Sequence, residues 1–205
     1  KDNTINIIKR YCKKYKFISL IERKKIDSRT QVYSAYNAGL EYLYQKKNID
    51  LFCQIDSDNI VDIESVKKSL NYLRLNPHVD VVKLSKYHHD SYINRKLIRK
   101  FYSYVYSFIC KLFFKSNIKD FSTGIRFYNE RSLKFLLKQS NKFKSPIGLL
   151  DDLLRLINND FYITEMPFIL TDRKSGNSFI SLKESILCLA ELFYCIFINK
   201  FNKNR

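Results

Sequence analysis

Tryptophan, acidic residues and long apolar runs are scarce in this chain of 205 residues. It has no Trp, and only 20 Asp and Glu stand against 37 Lys and Arg, so that its net charge is +17. So large a positive charge predicts an anionic partner, which is a nucleic acid, an anionic membrane surface or a phosphorylated substrate. Lys111 and Glu191 interrupt the two most apolar segments, which makes both too short to span a bilayer.

Cysteine pairs are also missing. The cysteines are odd in number, form no C-x-x-C pair and lie mostly within apolar runs, at Cys12, Cys53, Cys110, Cys188 and Cys195. We expect them to be reduced core residues of a cytosolic chain. With 45% apolar and 15% aromatic residues and no low-complexity segment, the composition predicts one globular domain with a proper core.

The most informative stretch is a short apolar segment, Leu51 to Ile55, which predicts a buried strand. Asp56 and Asp58 follow it two positions apart, so that in an extended chain both carboxylates leave on the same side. A hard divalent ion fits between two such charges, although Asp-x-Asp is also common in solvated turns. Farther along the chain, the adjacent residues His88 and His89 show no metal-ligand spacing and are predicted to be solvated.

Apolar segments and helical periodicities alternate along the chain. Strands are predicted at Phe17 to Ile21 and at Val79 to Ser85, with a helix after Asp62 between them. This succession predicts a mostly parallel sheet with helices on both faces. Ligands of such sheets bind outside the carboxyl ends of the strands, where Asp56 and Lys86 fall.

Two further helices are predicted. In the helix from Arg29 to Tyr44, Ala35 and Gly39 form a thin face, which predicts close packing on the sheet. The segment from Asn94 to Phe114 begins with four basic residues, and seven aromatic residues follow within fourteen positions. This composition suits a helix in the headgroup layer of a membrane, and it also suits a helix packed on the sheet with a charged outer edge.

Several segments match the motifs of a known enzyme family. Asp56-Ser57-Asp58 resembles the metal and nucleotide-sugar site of GT-A-fold family 2 glycosyltransferases. Residues 120–126 read Asp-Phe-Ser-Thr-Gly-Ile-Arg and resemble the D-x-T-S-G-x-R signature of dolichol- and polyprenol-phosphate mannose or glucose synthases. Residues 165–167 and 172–178 resemble the E-V-P and R-x-x-G-x-S blocks of the same enzymes. The motifs occur in the family's order and span nearly the whole chain.

The resemblance implies the three-layer α/β/α GT-A fold of nucleotide-diphospho-sugar transferases, with a mostly parallel sheet. In that family an acidic turn after the first strand introduces the first helix, and Asp2-Asn3-Thr4 matches only the tail of this turn. We therefore expect an N-terminally truncated domain that lacks the first strand. Residues 1–180 are assigned to the catalytic domain and residues 181–205 to a C-terminal apolar helix, which is expected either to pack on the domain or to lie on the membrane.

The resemblance also implies which residues bind the donor. Asp56 and Asp58 are expected to hold Mg2+ or Mn2+ and to bind the nucleotide-diphosphate sugar, together with Asn37, Arg173 and Lys174. As the glycosidic bond breaks, negative charge grows on the leaving phosphate, and a divalent ion with fixed cations nearby stabilises it.

The acceptor and the catalytic acids are implied in the same way. A basic and hydroxylic set is expected to bind an acceptor phosphate: Lys86, Arg95, Arg99, Ser122 and Thr123. Catalytic roles are expected for three acids, of which the last two begin a predicted helix and would act as a base on a hydroxyl acceptor: Asp58, Asp151 and Asp152.

The nature of the acceptor separates the possible functions. A lipid phosphate is largely ionised at neutral pH and needs only positioning, whereas a sugar hydroxyl needs a base. The basic, aromatic segment after Asn94 favours an inverting transferase that acts on a polyprenol phosphate, peripheral on the cytosolic face of a membrane. The alternatives are a transferase acting on a sugar hydroxyl in cell-surface polysaccharide synthesis and a non-catalytic basic domain. No nucleic-acid recognition motif is present, so we expect no nucleic acid as a partner.

Overall fold

A computed structural model describes residues 3–23, 31–46, 48–56, 61–138, 143, 145–171 and 182–201. Its helices are α1 (Thr4–Lys14), α2 (Gln31–Tyr44), α3 (Ile63–Leu75), α4 (Leu97–Phe113), α5 (Glu130–Lys138), α6 (Ile147–Asn158) and α7 (Leu182–Phe201). Its strands are β1 (Leu51–Gln54), β2 (Val81–Leu84), β3 (Tyr92–Ile93), β4 (Arg126–Asn129), β5 (Ile163–Met166) and β6 (Ile169–Leu170). Helices and strands alternate, so the α/β class predicted from the sequence is confirmed.

The main sheet has the strand order β1-β4-β2-β5. β2 and β5 pair in parallel, whereas β4 pairs antiparallel with both β1 and β2. The chain reaches β4 from residues 114–125, at the edge where β1 and β2 end, so β4 must run in the opposite direction. The sheet in the described part of the chain is therefore mixed, and the prediction of a mostly parallel sheet is not confirmed.

Alternate residues of the strands contact helices on opposite sides of the sheet. Val82 of β2 packs with Leu73 of α3, whereas its neighbour Val81 packs in a cluster with Leu40 of α2 and Leu156 of α6. Each cluster removes apolar side chains from water, which is the main favourable contribution to folding.

A third core cluster joins α4, α6 and α7. Leu153 of α6 is fully buried between Cys110 of α4 and Leu192 and Cys195 of α7. All five cysteines are free, but only Cys110 and Cys195 are buried core residues as predicted, whereas Cys12, Cys53 and Cys188 are partly exposed. Among the described helices, none has the length and hydrophobicity needed to cross a membrane.

Two local predictions are wrong. Residues 17–21 form no strand, and Phe17 is 83% exposed, because no described strand lies beside this segment to pair with it. Gly39 does not mediate a close approach either, because a methyl group added there would meet no atom within 4 Å. The close contact lies at Gly148 of α6, where an added methyl carbon would come within 2.7 Å of the Tyr33 ring.

Candidate active site

Four segments from different parts of the chain meet at one edge of the main sheet. β1, β2 and β5 all end at this edge, and β4 begins there. Asp56 follows β1, Lys86 follows β2, and the segment 120–125 leads into β4. The amide of Gln54 at the end of β1 donates a hydrogen bond to the carbonyl of Gly124, which joins two of these segments directly.

Asp120 organises the centre of this edge. Its carboxylate is fully buried and accepts hydrogen bonds from three backbone amides, those of Lys86 (2.8 Å), Ser122 (2.8 Å) and Thr123 (3.1 Å). It also accepts hydrogen bonds from the hydroxyls of Ser122 (2.7 Å) and Thr123 (2.5 Å). Burial of the carboxyl group raises its pKa, but the charges of Lys83 and Lys86 together with these hydrogen bonds outweigh burial and hold the pKa well below its ordinary value of 3.8.

Lys86 is the cation that this arrangement positions. Its Nζ donates hydrogen bonds to Ser122 Oγ (2.7 Å) and Ser103 Oγ (3.1 Å) and lies 3.9 Å from Asp120 Oδ1. Burial lowers the pKa of this amine, and the Asp120 carboxylate opposes that effect. The charge of Arg95 lowers the same pKa, which indicates a second cation near Lys86. Arg99 lies in the first turn of α4, the helix that Arg95 precedes.

Glu165 ties a second motif to the Asp120 segment. Its two carboxylate oxygens accept hydrogen bonds from the backbone amides of Lys119 and Asp120, both at 2.8 Å. Glu165 lies on β5 in register with Lys83 of β2. The motifs at residues 120–126 and 165–167, which are far apart in the sequence, therefore build one site, although no separate role was predicted for Glu165.

The hydroxyls of Ser122 and Thr123 both donate hydrogen bonds to the Asp120 carboxylate. Their role as ligands of an acceptor phosphate stays a prediction. Ser122 accepts the hydrogen bond from Lys86 at the same time. In this arrangement the two residues hold the carboxylate and the amine in place.

On the donor side, the hydroxyl of Tyr36 on α2 donates a hydrogen bond to Oδ1 of the half-buried Asp56. The sequence did not identify Tyr36, although it stands next to the predicted donor ligand Asn37, which is half-buried on the same helix. Carboxylate oxygen is the ligand type that Mg2+ and Mn2+ prefer, so Asp56 fits the expected metal. The other predicted donor residues lie outside the described residues: Asp58, Arg173 and Lys174.

The two acids of α6 are both buried and face different elements. Asp152 accepts hydrogen bonds from the Tyr33 hydroxyl of α2 (3.1 Å) and from Arg155 Nη1 (3.4 Å). Asp151 accepts a hydrogen bond from Asn199 of α7 (2.6 Å). The structure therefore does not direct the two carboxylates into one shared cleft, and the catalytic role of each stays a prediction.

Arg126 connects β4 to the start of α6. Its Nη2 donates a hydrogen bond to the carbonyl of Leu149 at 2.5 Å, and the side chain is almost completely buried. This contact fixes the first turn of the helix that carries Asp151 and Asp152.

Comparison with known proteins decides the family. A model of the family described as Glycosyl transferase family 2 matches residues 1–137. The chain belongs to glycosyl transferase family 2. No curated protein matches the chain. Membership supports a GT-A fold and glycosyl transfer from a nucleotide-sugar donor to an acceptor, and enzymes of this family typically use a divalent metal. The matched residues include Asp56, Lys86 and the Asp120 segment.

Proposed function

We propose that the protein is an inverting glycosyltransferase that moves a sugar from a nucleotide-diphosphate donor to a polyprenol phosphate of the dolichol type. It would work as a peripheral protein on the cytosolic face of a membrane. The observation that carries this proposal is Lys86, a nearly buried amine held by Ser122 and Ser103 beside the basic start of α4.

The acceptor chemistry follows from the charge of a lipid phosphate. Its second pKa is about 6, so at neutral pH the attacking oxygen is largely ionised and needs no general base. It needs cations that hold it in line with the sugar, and Lys86, Arg95 and Arg99 supply them. The hydrogen bonds from Ser122 and Thr123 keep Asp120 in place, and Asp120 holds the backbone of Lys86, so these hydroxyls act on the acceptor through Lys86.

The donor chemistry rests on Asp56, Asp58, Arg173 and Lys174. When bound, a divalent ion held by Asp56 and Asp58 would neutralise the charge that grows on the leaving nucleotide. Tyr36 fixes the orientation of the Asp56 carboxylate through its hydrogen bond. Arg173 and Lys174 would close over the pyrophosphate as further cations.

Helix α4 would contact the membrane. The exposed apolar residues of α4 recur along one side of the helix, at Leu97, Phe101, Tyr104, Phe108 and Leu112. We call this set the α4 aromatic face. Residues 91–119 contain no acidic residue and seven basic ones, so the positive charge around the α4 aromatic face is complementary to the negative charge of a cytosolic leaflet. On α7, Phe193, Phe197 and Phe201 are exposed in the same way.

The buried state of Asp152 argues against a hydroxyl acceptor. A general base must reach the proton that it removes, yet Asp152 is buried and accepts hydrogen bonds from Tyr33 and Arg155.

The test measures transfer from a panel of nucleotide sugars to polyprenyl phosphate in liposomes. We expect one donor to give product, and we expect Asp58→Asn to lower kcat/KM by about 100-fold. Asp152→Asn should change kcat/KM by less than about threefold, because a phosphate acceptor needs no base. A thermal melt of each variant separates loss of chemistry from loss of fold.

Other outcomes would replace the proposal. A large loss in Asp152→Asn with little change in Asp58→Asn, or transfer only to sugar hydroxyls, would indicate the hydroxyl-acceptor transferase. Salt-dependent binding to oligonucleotides with no response to any nucleotide sugar would indicate a non-catalytic basic domain.

A further inference from the structure

The loop between β2 and β3, residues 85–91, is held in place at both ends. The Ser91 hydroxyl donates a hydrogen bond to the Ser85 carbonyl (2.7 Å) and accepts one from the Phe168 amide (3.2 Å). Within the loop, the amide of Ser91 donates to the carbonyl of His88 (3.0 Å). We call these residues the histidine loop. Its backbone is thus fixed by contacts that do not involve the side chains at 88, 89 and 90.

Those three side chains converge. The rings of His88 and His89 stack with their centroids 4.4 Å apart. Asp90 Oδ2 lies 3.0 Å from His89 Nε2 and 3.9 Å from His88 Nδ1. One potential ligand atom from each residue lies within 4.8 Å of the other two. The sequence showed no third ligand for the two histidines, and the fold of the loop supplies it as Asp90.

These separations suit a tetrahedral metal ion. In a tetrahedral site with metal–ligand bonds of about 2.1 Å, neighbouring ligand atoms lie about 3.4 Å apart. The two measured separations, 3.0 and 3.9 Å, lie on either side of that value. His89 and Asp90 are exposed and His88 is partly exposed, so an ion can enter from solvent. Because a metal ion binds in the plane of an imidazole ring, the two rings would turn out of their stack to bind the same ion.

We propose that His88, His89 and Asp90 bind a zinc ion, with water in the fourth position. Two imidazoles and one carboxylate are a ligand set that Zn2+ uses, whereas Mg2+ prefers oxygen ligands alone. The site is therefore distinct in chemistry from the one expected at Asp56 and Asp58. The backbone amide of Asp90 donates a hydrogen bond to His88 Nδ1 at 3.3 Å. When this nitrogen binds the metal, the amide of the exposed Asp90 would donate to water instead.

The third histidine of the chain provides a matched control. His78 lies edge-on against the ring of Tyr162, with the centroids 5.4 Å apart, and no carboxylate ligand set surrounds it among the described residues. Loss of this imidazole changes the histidine content of the protein in the same way as loss of His89 but leaves the histidine loop intact.

The test is calorimetric titration of the full chain with ZnCl2 in the presence of excess MgCl2, which keeps oxygen-ligand sites occupied. We expect one saturable zinc ion per chain. His89→Ala and Asp90→Asn should each weaken zinc binding by about tenfold or more, whereas His78→Ala should leave it unchanged. Replacing zinc by Co2+ should give the intense visible absorption of a tetrahedral ion, and His89→Ala should remove that absorption.

Three results would contradict the proposed zinc site. The proposal is overturned by the absence of saturable binding, by equal weakening in His78→Ala and His89→Ala, or by loss of zinc binding in Asp58→Asn. None of these readouts depends on transferase activity, so the zinc site and the proposed function can fail separately.

Discussion

At the scale of single residues, Asp120 explains why the candidate site is rigid. The carboxylate is ionised inside the protein because two lysines and five hydrogen bonds compensate for its burial. Lys83 is fully buried beside it, and burial lowers the pKa of that amine to about 8 although Asp120 opposes the effect. The two lysines and Asp120 thus depend on one another, and removal of the acid leaves two buried cations without their shared counter-ion.

Asp120→Asn should therefore destabilise the protein by about 3–5 kcal/mol at pH 7. Because the folded-state pKa of Asp120 is lowered, its stabilising contribution is present above the unfolded pKa of about 3.9 and is lost as the pH falls below it. Urea unfolding between pH 7 and pH 3 should show a shallower fall in the free energy of unfolding for Asp120→Asn than for the wild type.

The exposed Asp50 provides the control for that measurement. Asp50→Asn should change the free energy of unfolding by less than about 0.5 kcal/mol. If Asp120→Asn and the wild type lose stability in parallel as the pH falls, the Asp120 carboxylate does not form the stabilising buried ion pair with the two lysines that is described above.

Residues of the site differ in how far the sequence could reveal them. Asp56, Lys86 and Asp120 were identified because each adjoins a strand end or a motif, and both signals are local. Tyr36 was missed because its partner Asp56 lies 20 positions away and no pattern links the two. The hydrogen bonds from Ser122 and Thr123 to Asp120 were missed for another reason: a motif specifies residue types but not which acceptor receives a hydroxyl proton.

At the scale of elements, the sequence predicted α2 well, because apolar residues that recur every three or four positions are typical of a helix and this pattern is local. It failed for residues 17–21, because a strand exists only if another strand pairs with it, and that information is not local. The same limit applies to glycine, since Gly39 and Gly148 both lie in helices and only the fold shows which one contacts another helix.

The contact of α2 with α6 can be tested through these two glycines. Gly148→Ala should lower the free energy of unfolding by about 1–3 kcal/mol, because the new methyl group overlaps the Tyr33 ring. Gly39→Ala should raise it by about 0.5–1 kcal/mol, because alanine favours a helix and the space there is open. Chemical unfolding of both variants checks the pair, and an equal gain in both would show that Tyr33 does not pack on Gly148.

At the scale of the whole molecule, the proposed membrane binding combines a net charge of +17 with the α4 aromatic face. Phe101 and Phe108 are 59% and 50% exposed, and an exposed apolar patch is typical of a surface that meets a protein partner or a membrane. In the proposed membrane association, the charge would attract an anionic surface over a distance of about 10 Å at 0.1 M salt, and the rings would then insert into the headgroup layer. Electrostatic attraction and insertion of the rings should therefore make separable contributions to the affinity for a membrane.

Vesicle flotation can resolve the two contributions. The protein should bind vesicles that contain anionic lipid and bind neutral vesicles weakly. Its affinity should fall as salt rises from about 0.05 to about 0.5 M, because the screening length shortens about threefold over this range. The double variant Phe101→Asp and Phe108→Asp should reduce the vesicle-bound fraction by about tenfold or more, because each buried ring contributes roughly 1.5–3 kcal/mol. Phe17→Asp is the matched control, since Phe17 is 83% exposed but lies outside α4. If Phe17→Asp reduces binding as much as the double variant, the membrane does not meet the protein at the α4 aromatic face, and charge alone accounts for the attraction.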